Sequence, residues 1–523
     1  MRFAIALSAL CLSAYFLFVN LGHYALWDDE SVSALVAEGI QRTGDTSVII
    51  GHNIVAYRGG LLVRDGKDRS TPPLSTYLTA ASFSIFGVSA WSARLPSACF
   101  GLASVALLLW WLRNHSLRTQ VIFSLALLGN VSFFLFCRQA RYYAAALFFS
   151  AAIVYIYSRW RGSWQGALGM AIIGIFLFAA NYLAYAALTI CLIVDYCFWQ
   201  RGKIALSWKV LIVLALPQSL AIAMISLVWN PFGTGFGGYV TKNSLLDRLE
   251  LFFWNLRDLN SAEFLVAPLV LAAFFMAWKN KDQLLTRMLV ALLTYTGLVS
   301  LVSPQTLFNT TVADIRYLVP LIPLGIALET LVVVRLTKGF QMLWLAVALL
   351  AFETNVINGG PFLASGARST IAEFSRELLS PPPEPYSLAA NWVVQNVKPG
   401  ESVVVLPDYM VYPLMFKAPH PVYGWQFKNV DKPGFRDLED IHFEGRVPPD
   451  FFIIFGPVVS DFLKASSQWS REGCRYEHFA TINTYWKDLY RPELFWRTFR
   501  PVLQFDPNWE AIQIFRRIYE EPR

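Results

Sequence analysis

The sequence predicts a polytopic α-helical membrane protein that carries a soluble α/β domain at its C-terminal end. Three observations point there. The chain of 523 residues is 55% hydrophobic and only 15% charged, with a mean hydropathy of +0.44, which is too apolar and too long for one soluble domain. Apolar runs of membrane-spanning length recur as far as Ile357. Beyond that point the composition changes to chain breakers, an amphipathic stretch and short buried-strand runs.

The first run, Phe3 to Val19, follows a single basic residue. It suits a signal peptide or a first spanning helix, and the lack of a small-x-small cleavage site favours an uncleaved helix. The later runs are Trp91–Leu112, Thr119–Cys137, Tyr142–Tyr157, Gly166–Asn181, Leu183–Phe198, Val210–Val228, Phe264–Trp278, Met288–Val302, Tyr317–Val334 and Phe340–Ile357. With the first they give about 11 spans, several near the lower length limit. If the N-terminus is cytoplasmic, the inner loops carry Arg113 and Arg118, Arg159 and Arg161, Arg201, Lys203 and Lys209, Lys279, Lys281 and Arg287, and Arg335 and Lys338. Short basic loops on one side are the positive-inside pattern. An odd span count then puts the long first outer loop, residues 22–90, the segment Trp229–Glu263 and everything after Ile357 outside.

This divides the chain into a transmembrane part, 1–357, and an extracytoplasmic domain, 358–523. The domain opens with the breakers NGGPF and PPPEP and continues with a helix over SLAANWVVQNV and a strand over SVVVL. A second strand over DFFIIF precedes a helix over VVSDFLKASSQW, so a mixed or parallel sheet is expected. Five of the six cysteines lie in apolar spans and Cys474 is alone, so no disulfide framework is expected. The net charge of +7 follows the orientation pattern rather than a basic stripe, which argues against a nucleic-acid partner. No GxxxxGK[ST] loop, GxSxG elbow or His/Cys pair with metal-ligand spacing is present.

The informative polar residues gather on the outer side. LWDDESVSAL places Asp28, Asp29 and Glu30 at the start of a helix, where Asp28 is the expected cap and acidic groups suit the first turn. The same loop ends with Arg58, Arg64, Lys67 and Arg69 ahead of a proline pair. Such a loop can hold an anion and offer a carboxylate. His23 and His52 in it read as ordinary polar residues. In FCRQARYYAAALFF, Arg138 and Arg141 are three apart, hence on one helical face, and Tyr142 and Tyr143 follow. An arginine at bilayer depth costs roughly 2.5–3.5 kcal/mol at the centre, so two on one face, with Arg316 in VADIRYLVPLIPL at the same level, suggest an anion site. Snorkelling to headgroups, and pairing of Arg316 with Asp314, are the structural alternatives. In the outer domain, YGWQF reads as core packing, with stacking on a sugar as the alternative, and YRPELFWRTFRPVLQF as an amphipathic edge, with packing on the membrane face over the acceptor as the alternative.

The order of the DE pair after the first span, PPLSTYLTAASFSIFGVSAWSARLPSACFG, QARYYAAALFF and IRYLVPLIP resembles bacterial membrane glycosyltransferases of the GT-C fold. Within them it is most similar to the protein-mannosyltransferase and aminoarabinose-transferase-like family, over about the first 340 residues. The stretch Phe86–Ala98 is its most distinctive piece. The resemblance implies transfer of a sugar from a polyprenyl-phosphate donor, on the outer face of the bacterial inner membrane, to lipid A, lipopolysaccharide, another glycan or a protein. The DE motif maps onto Asp29 and Glu30. Two departures stand out: Thr71 replaces the Lys or His that many relatives have before the proline pair, and Tyr142 follows Arg141 where aminoarabinose-type relatives have an acid.

The residue types fit that chemistry. A sugar phosphate leaves as an anion without a proton, so the glycosidase pair of catalytic carboxylates is not needed. One carboxylate, Asp29, orients the acceptor and takes its proton late. Glu30 positions acceptor or sugar, with a divalent cation there left open. Arg138, Arg141 and Arg316, with Arg58, Arg64, Lys67 and Arg69, are the candidates for the donor phosphate. Trp27, Tyr142 and Tyr143 are candidates for substrate positioning. No motif requires a cofactor, and membrane lipids surround the spans. A lipid-linked-sugar flippase and a noncatalytic envelope-assembly subunit are the alternatives; a flippase would more often show an internal repeat, which the sequence lacks.

Overall fold

The computed structural model describes residues 1–523 except 57–59, 61–62, 205, 230, 232–243, 303–314, 341–342, 382–383, 425–434, 444–445, 457–461, 463, 465, 468–472, 484–510 and 520–523. Arg58, Asp314, the stretch YRPELFWRTFRPVLQF and most of YGWQF and VVSDFLKASSQW therefore lie outside the described residues.

Each expected apolar run coincides with a helix. They are α1 (Arg2–Phe18), α4 (Ala90–Leu112), α5 (Leu117–Gly129) with α6 (Val131–Cys137), α7 (Tyr143–Arg159), α8 (Trp164–Ala180), α9 (Tyr182–Asp195), α10 (Trp208–Trp229), α12 (Ala267–Asn280), α13 (Gln283–Val302), α14 (Ile322–Leu336) and α15 (Leu343–Phe352). A 3₁₀ turn, Ile315–Leu321, leads into α14. Among the described residues five helices are long and apolar enough to cross a membrane, or six if the α5–α6 pair is one span. The remaining apolar helices are shorter, so length and composition give a smaller number of crossings than the eleven expected.

The α5–α6 pair bends by 59°. Asn130 sits at the break and its side chain caps the second helix by accepting from Phe133 N–H at 3.0 Å, so the kink has an identifiable polar cause. Gly129 has a different reason: a Cβ there would meet the Phe352 carbonyl oxygen at 2.0 Å. The ends of α5 and α15 touch backbone to backbone.

Segments read as loops hold further helices. Residues 22–90 contain α2 (Asp28–Thr43), the hairpins β1 (Ile49–Ile50) with β2 (Asn53–Ile54) and β3 (Val63–Arg64) with β4 (Lys67–Asp68), and α3 (Pro73–Phe86). The second outer segment contains α11 (Leu245–Ser261). NGGPF does not break the chain: α16 (Gly359–Ser365) starts within it, followed by α17 (Thr370–Leu379).

The C-terminal part folds as α/β. Helix α18 (Pro385–Asn396), strand β5 (Ser402–Leu406), helix α19 (Val411–Lys417), β6 (Val422–Tyr423), β7 (Phe451–Phe455), β8 (Cys474–Asn483) and β9 (Ala511–Tyr519) follow in order. The sheet order is β6-β5-β7-β9-β8, parallel across β6, β5 and β7 and antiparallel beyond, the mixed arrangement. Residues of β5 and β7 are buried throughout, as continuous apolar strands covered on both faces should be. All six cysteines are free.

Candidate active site

The site is built on the N-terminal turn of α2. Asp28, Asp29 and Glu30 all lie in that turn, where acidic groups complement the helix dipole. The cap differs from expectation. Asp28 is the first helical residue, and Glu30 reaches back to the Trp27 N–H at 3.3 Å. This is the returning half of a capping box, and it leaves Asp28 to accept from the Asp29 N–H at 2.8 Å.

Glu30 is wholly buried, and its two oxygens are filled. Oε1 accepts from Arg94 Nε at 2.9 Å and from the Ala140 N–H at 2.6 Å, and Oε2 accepts from Arg94 Nη2 at 2.6 Å. Arg94, 1% exposed, spends its other N–H groups on the carbonyls of Leu21, Tyr24 and Ala25 at 2.8–3.1 Å. One carboxylate and one guanidinium thus tie together the α1–α2 linker, α4 and the α6–α7 linker. An ion pair this deep holds only because its remaining donors and acceptors are satisfied. Arg94 stands within ARLPSA, and nothing in the linear sequence marks it as the partner of Glu30.

Asp29 faces the other way. Its Oδ2 accepts from Arg316 Nη1 at 2.6 Å and lies 3.6 Å from Arg141 Nη2. Arg141 also donates to the Asp29 carbonyl at 3.1 Å and to Ser33 Oγ at 2.7 Å, and Ser33 Oγ donates to the same carbonyl at 3.0 Å. Ser97, from ARLPSA, donates to the Arg141 carbonyl at 3.1 Å. The guanidinium carbons of Arg141 and Arg316 lie 5.3 and 5.6 Å from the rings of Tyr142 and Tyr317, within cation–π range. Asp29 is 7% exposed, so this two-arginine, one-carboxylate group works in a poorly hydrated setting where charge interactions are strong.

The structure gives the other candidates different partners. The helical face expected to carry both Arg138 and Arg141 does not exist, because the chain leaves helix after Cys137 and re-enters it at Tyr143. Arg138 instead donates to the Phe16 and Leu17 carbonyls at 2.9 and 3.1 Å, capping the end of α1. Lys67 and Arg69 converge on Asp45, at 2.8 and 2.7 Å. Arg69 also stands 5.2 Å from the Trp229 ring. Arg64 is exposed on its hairpin. Thr71 donates to Asp68 Oδ2 at 2.8 Å, shaping the bend before the proline pair. Trp27 is buried in the core at the start of α2, and Tyr143 packs edge-on against Phe136 and Tyr142 at 5.1 and 4.7 Å. Among the described residues no group of three or more His, Cys, Asp or Glu side chains could hold a metal ion.

No protein-family model matches the chain, and no curated protein matches it in sequence. Its three-dimensional form, however, is that of a membrane protein of the GT-C fold. Solved structures of ArnT from Cupriavidus metallidurans match 98% of this chain and 97% of theirs, at 13% identity. The TM-score is 0.55 for the apo state and 0.54 for the state bound to undecaprenyl phosphate. At that identity the likeness is one of fold.

Proposed function

We propose that the chain is an inverting membrane glycosyltransferase that moves a sugar from a polyprenyl-phosphate donor to an acceptor on the outer face of the bacterial cytoplasmic membrane. The acceptor is a hydroxyl or phosphate of lipid A, lipopolysaccharide, another envelope glycan or a protein. The observation that carries this reading is the buried Asp29 carboxylate bracketed by Arg316 and Arg141. The fold adds support, since ArnT has been solved with undecaprenyl phosphate bound.

In this reading the acceptor oxygen attacks the anomeric carbon while the bond from that carbon to the phosphate oxygen breaks. The electron pair leaves on the phosphate, and the acceptor proton passes late to Asp29. Arg141 and Arg316 already converge on one carboxylate, and bidentate guanidinium groups match phosphate oxygens equally well. Donor binding would draw them partly from Asp29 to the phosphate, which raises the basicity of Asp29 when it is needed. Glu30 is a positioning residue, because its oxygens are occupied by Arg94, Ala140 and Trp27. Arg138, Lys67 and Arg69 serve the scaffold. The transmembrane part, 1–357, carries the site, and the domain 358–523 covers it from outside; the basic inner loops support a cytoplasmic N-terminus.

The test is mass spectrometry of envelope lipids, glycans and proteins from cells carrying the wild-type gene, no gene, or Asp29→Asn. A hexose, pentose or aminosugar absent from both the deletion and the variant is the expected result. Full modification by Asp29→Asn would sink the role of Asp29, and translocation of a lipid-linked sugar without any glycosylated product would replace the enzyme by a flippase.

A further inference from the structure

A small polar cavity of about 40 Å³ lies where the ends of α5 and α15, the turn after α11, and α14 meet. Asn130, Glu263, Glu329, Glu353 and Asn358 line it, and neither Asp29, Arg141 nor Arg316 does. Several of its polar groups are answered by the chain. Asn130 donates to the Phe264 carbonyl at 3.3 Å and accepts from Phe133 at 3.0 Å. Glu263 pairs with Arg368 at 2.9 Å and accepts from Thr370 at 2.6 Å.

Three groups are not so answered. Glu329 is 3% exposed and receives only the Val266 N–H among the described residues. The Glu353 side chain, half-buried at the end of α15, meets no described donor. Asn358 is 3% exposed, and its Nδ2 donates to the Leu265 carbonyl at 3.3 Å, which fixes the amide orientation and leaves Oδ1 buried with no hydrogen-bond partner. All three are oxygens that accept, two belong to carboxylates, and among the described residues no lysine or arginine forms an ion pair with Glu329 or Glu353. A buried carboxylate without a counter-charge costs several kcal/mol, so something positive belongs between them.

We propose that this cavity binds a divalent hard cation, calcium or magnesium. Two carboxylates match its charge, and a donor set of carboxylate and amide oxygens matches its preference. The third acid of the lining, Glu263, is taken by Arg368, and among the described residues no three acidic side chains are arranged to hold a metal by themselves, so water completes the shell. The volume admits the ion with one or two waters, each needing about 10–15 Å³. The ion would join α14, which continues from the turn bearing Arg316, to the junction where the C-terminal part begins at Asn358.

The experiment uses the full chain in detergent after chelation. Thermal unfolding is followed by tryptophan fluorescence while calcium chloride or magnesium chloride is titrated against choline chloride at constant ionic strength. A saturable rise in Tm with one of the two ions, absent with choline, is expected. The variant pair Glu329→Gln with Glu353→Gln should lose that response. Should the pair not fold, Glu353→Gln alone, at the half-buried edge, should weaken the apparent affinity about tenfold or more. A wild-type Tm indifferent to both ions, or one that moves only with pH as a protonated Glu329 would require, overturns the proposal. So does a full ion response in either variant.

Discussion

Asp29 and Glu30 are neighbours with opposite duties, because successive helical residues point about 100° apart. One side chain reaches the two-arginine cluster and the other is spent on Arg94. The reading of Asp29 as base predicts that Asp29→Asn lowers turnover by about 10²–10⁴, the usual worth of a general base, while the protein still inserts and folds in membranes. Arg94→Leu should behave in the reverse manner. It strands the Glu30 carboxylate and the carbonyls of Leu21, Tyr24 and Ala25 in the interior, at a cost of about 3–5 kcal/mol. A lowered unfolding midpoint in detergent is the readout, and Arg94→Lys should rescue little because an ammonium cannot reproduce the planar fork. An Arg94→Leu protein as stable as wild type would show that the buried pair contributes nothing net.

At the scale of elements, α2 is held on nearly every side. Its C-terminal cap, Gly44, is left-handed at φ 79°, the conformation that glycine allows without strain. Gly39 permits the Ser47 carbonyl to approach so closely that a Cβ would meet its oxygen at 2.1 Å. Gly39→Ala should therefore push α2 from the β1–β2 hairpin at a cost of about 1–3 kcal/mol, seen as a lower melting temperature together with faster cleavage of the segment by protease. The β3–β4 hairpin is pinned by Lys67 and Arg69 on Asp45. Partial burial works against ionisation of Asp45, but the hydrogen bonds from Arg69 and Lys67 outweigh it and hold the carboxyl well below the usual range. A group with a depressed folded pKa contributes stability above its unfolded value, near about 4, and loses it as pH falls below that. Protection of residues 45–71 against proteolysis by an acid-tolerant protease should thus fade between about pH 4 and the lower folded value, and Asp45→Asn should be equally unprotected at both ends. Unchanged wild-type protection down to strong acid would refute the clamp.

On the scale of the whole molecule, the C-terminal part reaches the site through α2. Helix α19 packs on it, Phe416 of α19 stacks on Phe83 of α3 at 6.3 Å, and Asn53 bridges the two parts. The Asn53 amide donates to the Pro419 and Pro421 carbonyls at 3.2 and 2.9 Å and accepts from the Tyr423 N–H at 2.8 Å. Asn53→Ala leaves those buried groups unpaired, each at about 1–3 kcal/mol. It should loosen the docking of β6 on β2, raising hydrogen exchange at Tyr423 without changing exchange in α13. Equal exchange in variant and wild type would mean that the outer sheet holds its place without Asn53.

Much of this was legible in the linear sequence, and for a physical reason. A span must be apolar along its whole length, a buried strand must be a continuous apolar run, and an arginine among apolar residues stands out wherever it sits. Hence α1, α4 to α10 and α12 to α15 lie on the apolar runs, SVVVL and FFIIF are strands, and Asp29, Arg141 and Arg316, all far apart in the chain, stand out together. What the sequence could not contain is direction. Arg138 and Arg141 look alike at a spacing of three, yet the break in helix after Cys137 sends one to the end of α1 and the other to Asp29. Glu30 beside Asp29 looks equally catalytic until Arg94, 64 residues on, occupies it. Composition marks which segments are apolar enough to form the helices of this fold, since that depends on local transfer free energy. Which oxygen a guanidinium meets depends on how distant segments pack, and only the tertiary structure decides that.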